Sequence, residues 1–173
     1  ISGHRRMNAA MVNGQEKIQA IVRELTDDQA TIIMVDSNIQ RENILPTERG
    51  FAYKLKLEAM KHQGKRSDIT STQVGQKLKN KYSIEQLAED VGNTRTQIQR
   101  FIRLTELIEP LRDMVDGLRS DGKKIAFNPA VELSYLSKEN QQFVVKNIEG
   151  LDLTPSHAQT IRMKELSREN RLD

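Results

Sequence analysis

A chain of 173 residues, 36% apolar and 4% aromatic with no Trp, suits one or two small helical domains filled with Leu, Ile, Val and Met, not a β-sandwich. The absence of Cys excludes disulfides and thiolate metal sites, and three scattered His (His4, His62 and His157) give no ligand-spaced pair for zinc. The net charge of +3 is mildly basic, and no apolar run is longer than the four residues Ile32–Val35, so the chain is expected in the cytoplasm, with no membrane span or signal peptide.

In chain order, residues 4–13 read as a helix opened by Gly3 and closed by Asn13-Gly14. Ile18, Ala20 and Val22, alternating with Gln19, Ile21 and Arg23, predict a short strand. Thr26-Asp27-Asp28-Gln29 fits a capping box and opens a helix through Ala30, Ile33 and Met34. Strand and helix together predict a small α/β piece. Pro46-Thr47-Glu48 starts another helix, with Phe51, Leu55 and Ala59 as its apolar stripe and Gly64 as its end. The polar stretch Gly64–Thr70 reads as a loop. Everything beyond reads as helical, over 71–79, 84–90, 94–107, 109–117, 128–136, 138–147 and 155–168. A boundary near Ile44–Thr47 divides the chain into an α/β remnant, 1–46, and an all-helical domain, 47–173.

The segment 83–104 has the grammar of a helix-turn-helix. Ser83 with Gln86 and Thr94 with Gln97 form two capping boxes, and Val91-Gly92-Asn93 makes the turn between them. Small Ala88 lets the helices approach, and Leu87, Val91 and Ile98 supply a shared core. On the second helix Ile98, Phe101 and Ile102 face inward. Thr96, Gln99, Arg100 and Arg103 fall on the opposite side, with Arg95 and Gln97 at the margins. No carboxylate lies between Thr94 and Thr105. Hydroxyls, amides and guanidiniums read base edges, and a helix among phosphates should lack acids. This helix is expected in a major groove, with the helix before it across the backbone.

Two further stretches carry chemistry. Gly3 precedes a helix with Arg5 and Arg6 in its first turn, where the dipole disfavours cations unless an anion such as a phosphate is present. "DSNIQREN", residues 36–43, is dense in amides and charges where the apolar pattern stops. Asp36 and Asn38 could approach a phosphate-bound magnesium and Arg41 a phosphate.

Together these stretches resemble ParB-type chromosome and plasmid partition proteins. Gly3-His4-Arg5-Arg6, followed by Ala9, matches the family's Gly-x-Arg-Arg element, and Ser37-Asn38-Ile39-Gln40-Arg41 matches its Glu-Asn-Ile-Gln-Arg element. The helix-turn-helix follows in the family's order, and "KKIAFNPAVELSYL" and "LTPSHAQTIRMKELS" resemble its supporting helices. The resemblance implies a DNA-binding protein that recognises a palindromic, parS-like site and binds CTP with Mg2+. It further implies a homodimer that closes as a clamp, slow CTP hydrolysis, a ParA-type ATPase partner and a place on the nucleoid or a plasmid. By the same resemblance Gly3, Arg5 and Arg6 hold the CTP phosphates, Asn38 serves phosphate and metal, and Arg41 orders its element or touches the nucleotide. Thr94, Arg95, Thr96, Gln97, Gln99, Arg100 and Arg103 read or clamp DNA. Ser37 replaces the family's Glu, which leaves the catalytic residues unassigned. The family's first nucleotide motif and its C-terminal dimerisation domain have no counterpart here, so a core fragment is expected. The alternatives are a helix-turn-helix regulator without nucleotide switching and a nuclease, for which Asp36 and Glu42 are too few carboxylates.

Overall fold

The computed structural model describes residues 3–41, 43–65, 84–169 and 171, without the side chains of 63–65. The predicted helix 71–79 and the Ser83 cap lie outside them. All regular structure among the described residues is helical, so the mainly α expectation holds.

α1 (His4–Val12) follows Gly3, whose φ of 103° is open chiefly to glycine. It closes as expected at Asn13-Gly14, with Gln15 N bonded to Ala10 O at 2.9 Å and Gly14 N to Met11 O at 3.0 Å. Residues 17–26 then run without regular structure, and Ile18, Ile21 and Val22 are all exposed. The predicted strand, and with it the α/β remnant, is not seen among the described residues. A strand is held by its ladder to another strand, and no partner is present there.

α2 (Asp27–Ile39) starts on the expected Thr26–Gln29 capping box. It continues past the apolar stretch, so Asp36, Ser37 and Asn38 occupy its last turn and not a loop after it. α3 (Pro46–Lys65) opens with Pro at its first position and is capped from a distance. Thr47 N donates to Asp116 Oδ1 at 3.0 Å and Thr47 Oγ1 donates to Asp116 Oδ2, placing a carboxylate at the positive end of the helix.

The inward face of α3 keeps Ala59 of the predicted stripe, which is buried, but not its other two residues. Phe51 and Leu55 are 44% and 41% exposed, while Gly50, Tyr53, Lys56 and Leu57 are buried. Size misleads here, because the smallest residue makes the contact. A methyl group on Gly50 would overlap the carbonyl oxygen of Phe101, so the bare backbone lets α3 lie directly against α5.

Residues 84–91 form α4 and Arg95–Arg103 form α5. The helix expected over 94–107 ends at Arg103 and tightens into a 3₁₀ turn, Leu104–Glu106. α6 (Glu109–Asp116), α7 (Phe127–Leu133), α8 (Lys138–Leu151) and α9 (His157–Arg168) complete the chain. One apolar cluster joins Tyr53, Leu57, Leu87, Ala88 and Ile98 across α3, α4 and α5. A second, larger one gathers residues such as Leu104, Leu111, Met114, Leu133 and Ile148 from the 3₁₀ turn through α8. Phe101 packs against both, with Tyr53 edge-on at 5.8 Å and Phe127 at 4.8 Å between ring centroids.

Gln141 holds the second cluster together. Fully buried, it accepts from Ile108 N at 2.8 Å and donates to Leu136 O at 3.1 Å and Glu106 O at 3.3 Å. One amide thus satisfies the backbone at three element ends.

Candidate nucleic-acid interface

The turn between α4 and α5 is fixed by its own backbone. Gly92 takes φ 66°, Asn93 N donates to Ala88 O at 3.0 Å, and Gly92 N to Glu89 O at 3.3 Å. This is a Schellman stop. Two residues later α5 begins on a complete capping box. Gln97 N donates to Thr94 Oγ1 at 3.2 Å and Thr94 N to Gln97 Oε1 at 3.0 Å. Asn93 Nδ2 donates to the buried Tyr53 hydroxyl at 2.8 Å, which ties the turn to α3.

Ile98 anchors α5 inward and is completely buried. Thr94, Arg95, Thr96, Gln97 and Gln99 are exposed, while Arg100 and Arg103 are half-buried. These seven residues therefore share one helix but not one condition. Thr94 and Gln97 spend side-chain groups on the cap. Thr96 and Gln99 make no side-chain hydrogen bond among the described residues, so hydroxyl and amide point outward uncommitted. Arg95 pairs with Glu85 of α4 at 3.7 Å, across the turn. Arg100 Nη2 donates to Asn128 Oδ1 at 2.6 Å, and its guanidinium carbon lies 5.3 Å from the centre of the Phe127 ring. Arg103 is engaged inside the protein: Nε donates to Ser134 Oγ at 3.2 Å, Nη2 donates to Ser134 O, and the guanidinium lies 4.2 Å over Tyr135.

Two of the three acids of α4 are occupied as well. Glu85 meets Arg95, and Asp90 Oδ2 meets Lys56 Nζ at 3.1 Å. Lys56 also reaches Asp36 Oδ1 at 2.7 Å, so one ammonium joins α2, α3 and α4. Its side chain is only 4% exposed. Burial works to lower its pKa, but the two carboxylates outweigh that and hold it above the ordinary lysine value.

The second group of candidate residues lies in the N-terminal part. Gly3 is the N-cap of α1 without a side-chain cap, and no acid sits in the first turn. Arg5 and Arg6 are exposed, and the Arg6 guanidinium lies over Gly3, where a methyl group would be 3.7 Å from Nη2. Asn38 is half-buried in the last turn of α2, and its carbonyl accepts from Arg41 N at 3.1 Å. Arg41 is exposed. Among the described residues no hydrogen bond or ion pair joins Gly3–Arg6 to Asn38–Arg41. Ser37 Oγ donates to Met34 O at 2.8 Å, and Asp36 is committed to Lys56. The described residues contain no group of three His, Asp or Glu side chains set to hold a metal ion.

Sequence reasoning missed Asn128, Ser134 and Tyr135, which hold Arg100 and Arg103, and Lys56, which joins the helices. All four act over long sequence separations. The faint signal was a lysine placed among inward positions of α3.

No protein-family model matches the chain. Known relatives do. The nucleoid occlusion protein of Listeria monocytogenes serotype 4b is 30% identical over 145 residues, 84% of this chain and 42% of the relative. Stage 0 sporulation protein J of Bacillus subtilis is 32% identical over 123 residues, 70% of this chain and 36% of the relative. The probable chromosome-partitioning protein ParB of Neisseria meningitidis is 28% identical over 115 residues, 66% of this chain and 33% of the relative. The chain spans less than half the length of each.

Proposed function

Because the chain belongs to the ParB family, we propose that it is a sequence-specific DNA-binding protein of chromosome or plasmid partition. The observation that supports this most is the outer face of α5. It is free of acids, it carries an uncommitted hydroxyl and amide at Thr96 and Gln99, and it is held rigid by a Schellman stop and a capping box. In this reading α5 lies in a major groove. Thr96 and Gln99 meet base edges, Arg100 meets a guanine, and Arg95 exchanges Glu85 for a phosphate. Thr94 and Gln97 shape the helix start beside the backbone, and Arg103 supports α5 from inside. Two copies in a homodimer read a palindromic, parS-like site with half-sites about one helical turn or a multiple apart.

The test is selection from a pool of duplexes with randomised cores, followed by competition against random duplex at several salt concentrations. A preferred palindrome with a steep salt dependence is expected. Equal binding to all duplexes would end this reading.

The same proposal gives the N-terminal part a nucleotide. An uncapped, acid-free helix start preceded by Gly3 and covered by Arg6 suits a polyphosphate. Gly3, Arg5 and Arg6 hold the CTP phosphates, and Asn38 and Arg41 complete the site. Bound CTP supplies the negative charge that draws these two segments together, which fits a clamp that closes around DNA and a ParA-type ATPase acting on the loaded form. Magnesium fits less well. Asp36 Oδ1 is paired with Lys56 and Ser37 Oγ donates to Met34 O, which leaves Asp36 Oδ2 and the Asn38 amide as the free donors of that trio among the described residues. That engagement favours a second reading, a helix-turn-helix regulator without nucleotide switching. Titration of CTP with and without the selected duplex decides between them. Arg6→Ala is expected to abolish CTP binding and leave duplex selection intact, whereas a wild-type chain that binds no CTP selects the second reading.

A further inference from the structure

The three arginines of α5 stand in three electrostatic conditions. Arg95 faces a carboxylate, and Arg103 is bound to a backbone carbonyl and a hydroxyl. Arg100 is held by a single bond to a neutral side-chain amide and by the Phe127 ring, whereas Arg103 spends two donors on Ser134 and lies over Tyr135. The bond to Asn128 sets the direction of its guanidinium, and the Phe127 ring restrains its plane. Neither contact cancels the charge. A guanidinium has five N–H donors, and Asn128 occupies one of them. Asn128 itself is exposed in the first turn of α7, and its side chain makes no other hydrogen bond among the described residues.

We infer that Asn128 is a specificity-determining positioning residue. From a helix outside the helix-turn-helix, it sets the Arg100 guanidinium in advance for bidentate recognition of a guanine edge. Bidentate recognition depends on the orientation of the fork. A flexible arginine loses freedom when it binds, and prior restraint reduces that loss. A carboxylate in the same place would orient Arg100 equally well but neutralise it and repel phosphates. The amide gives orientation without neutralisation. The inference rests on the duplex-reading role proposed above.

The test is a double-mutant cycle on this chain, with the duplex selected from the randomised pool and a random duplex as probes. Asn128→Ala should weaken binding to the selected duplex about three- to tenfold. It should relax the same base pair that Arg100→Ala relaxes, with random-duplex binding and melting temperature unchanged. In the Arg100→Ala background it should have no further effect. Asn128→Asp should keep the fold, since an acid suits a first helical turn, yet weaken both duplexes and flatten the salt dependence. Additive losses in the cycle, or equal losses on random DNA, would mean that Asn128 touches DNA itself and overturn the inference. So would a loss that tracks a fall in melting temperature. If a duplex is selected but Arg100→Ala does not affect it, the duplex reading stands and the positioning role falls. If no duplex is selected, both fall.

Discussion

Arg100 and Arg103 are neighbours on α5, yet they answer to different partners. Arg100→Ala should cost about 1–3 kcal/mol in binding to a selected duplex and relax one base preference, as read by competition with variant duplexes. Arg103→Ala should instead register in unfolding. Its charged bonds to Ser134 are worth about 1.5–3 kcal/mol, so urea titration should show the loss without DNA present. Gln141 shows a related logic in the core. Gln141→Leu strands Ile108 N–H and the Leu136 carbonyl, at about 1–3 kcal/mol each if left unpaired, while Lys138 Nζ still donates to Glu106 O. Asp121 gives a pH signature. Its bonds to Arg119, aided by Lys123 N–H, lower its pKa to about 2. A depressed carboxylate stabilises the fold above its unfolded pKa of about 3.9, and the gain is lost as pH falls through the folded value. Asp121→Asn should therefore shallow the acid limb of a plot of melting temperature against pH.

At the scale of elements, the helices that were legible in the sequence are those whose ends are local. The Thr26–Gln29 and Thr94–Gln97 boxes and the Asn13-Gly14 stop depend on residues within one turn, and all three are present. Thr94→Ala removes one half of such a box and should cost about 1 kcal/mol, seen as fraying at the start of α5 in amide exchange. What failed was non-local. The predicted strand needed a partner that local alternation does not supply. The inward face of α3 was set by Gly50 against Phe101, while pattern reading followed the larger Phe51 and Leu55. For the same reason the outward exposure of Thr96 and Gln99 could be read from the helical wheel, but the attachment of Arg100 and Arg103 to α7 and the residues after it could not. Gly50→Ala should push α3 away from α5 at a cost of about 1–3 kcal/mol, measurable by chemical denaturation.

At the scale of the molecule, α5 lies on a seam. Ile98 is sunk in one apolar cluster, Leu104 in the other, and Phe101 packs against both. Lys56 adds a charged tie from α2 to α4 through α3. With both carboxylates present the raised pKa means that its stabilising contribution holds below the ordinary lysine value of about 10.4 and fades as pH climbs through the folded one. Replacing Asp36 and Asp90 together with Asn leaves the ammonium without a countercharge, and because the two carboxylates are 43% and 44% exposed and Asn still accepts a hydrogen bond, it should cost about 1–3 kcal/mol at neutral pH. The sign then reverses. Burial alone depresses the pKa, so the double variant should regain melting temperature as pH rises toward 10, opposite to the wild type. The two uncommitted side chains of α5 have an evolutionary consequence. Thr96 and Gln99 touch neither cluster and close no cap, so descendants of this chain could exchange them at little cost to the scaffold. In the proposed duplex-reading role, new address labels on DNA would then arise by one or two codon changes, with Ile98 and Phe101 keeping the same fold beneath each dialect.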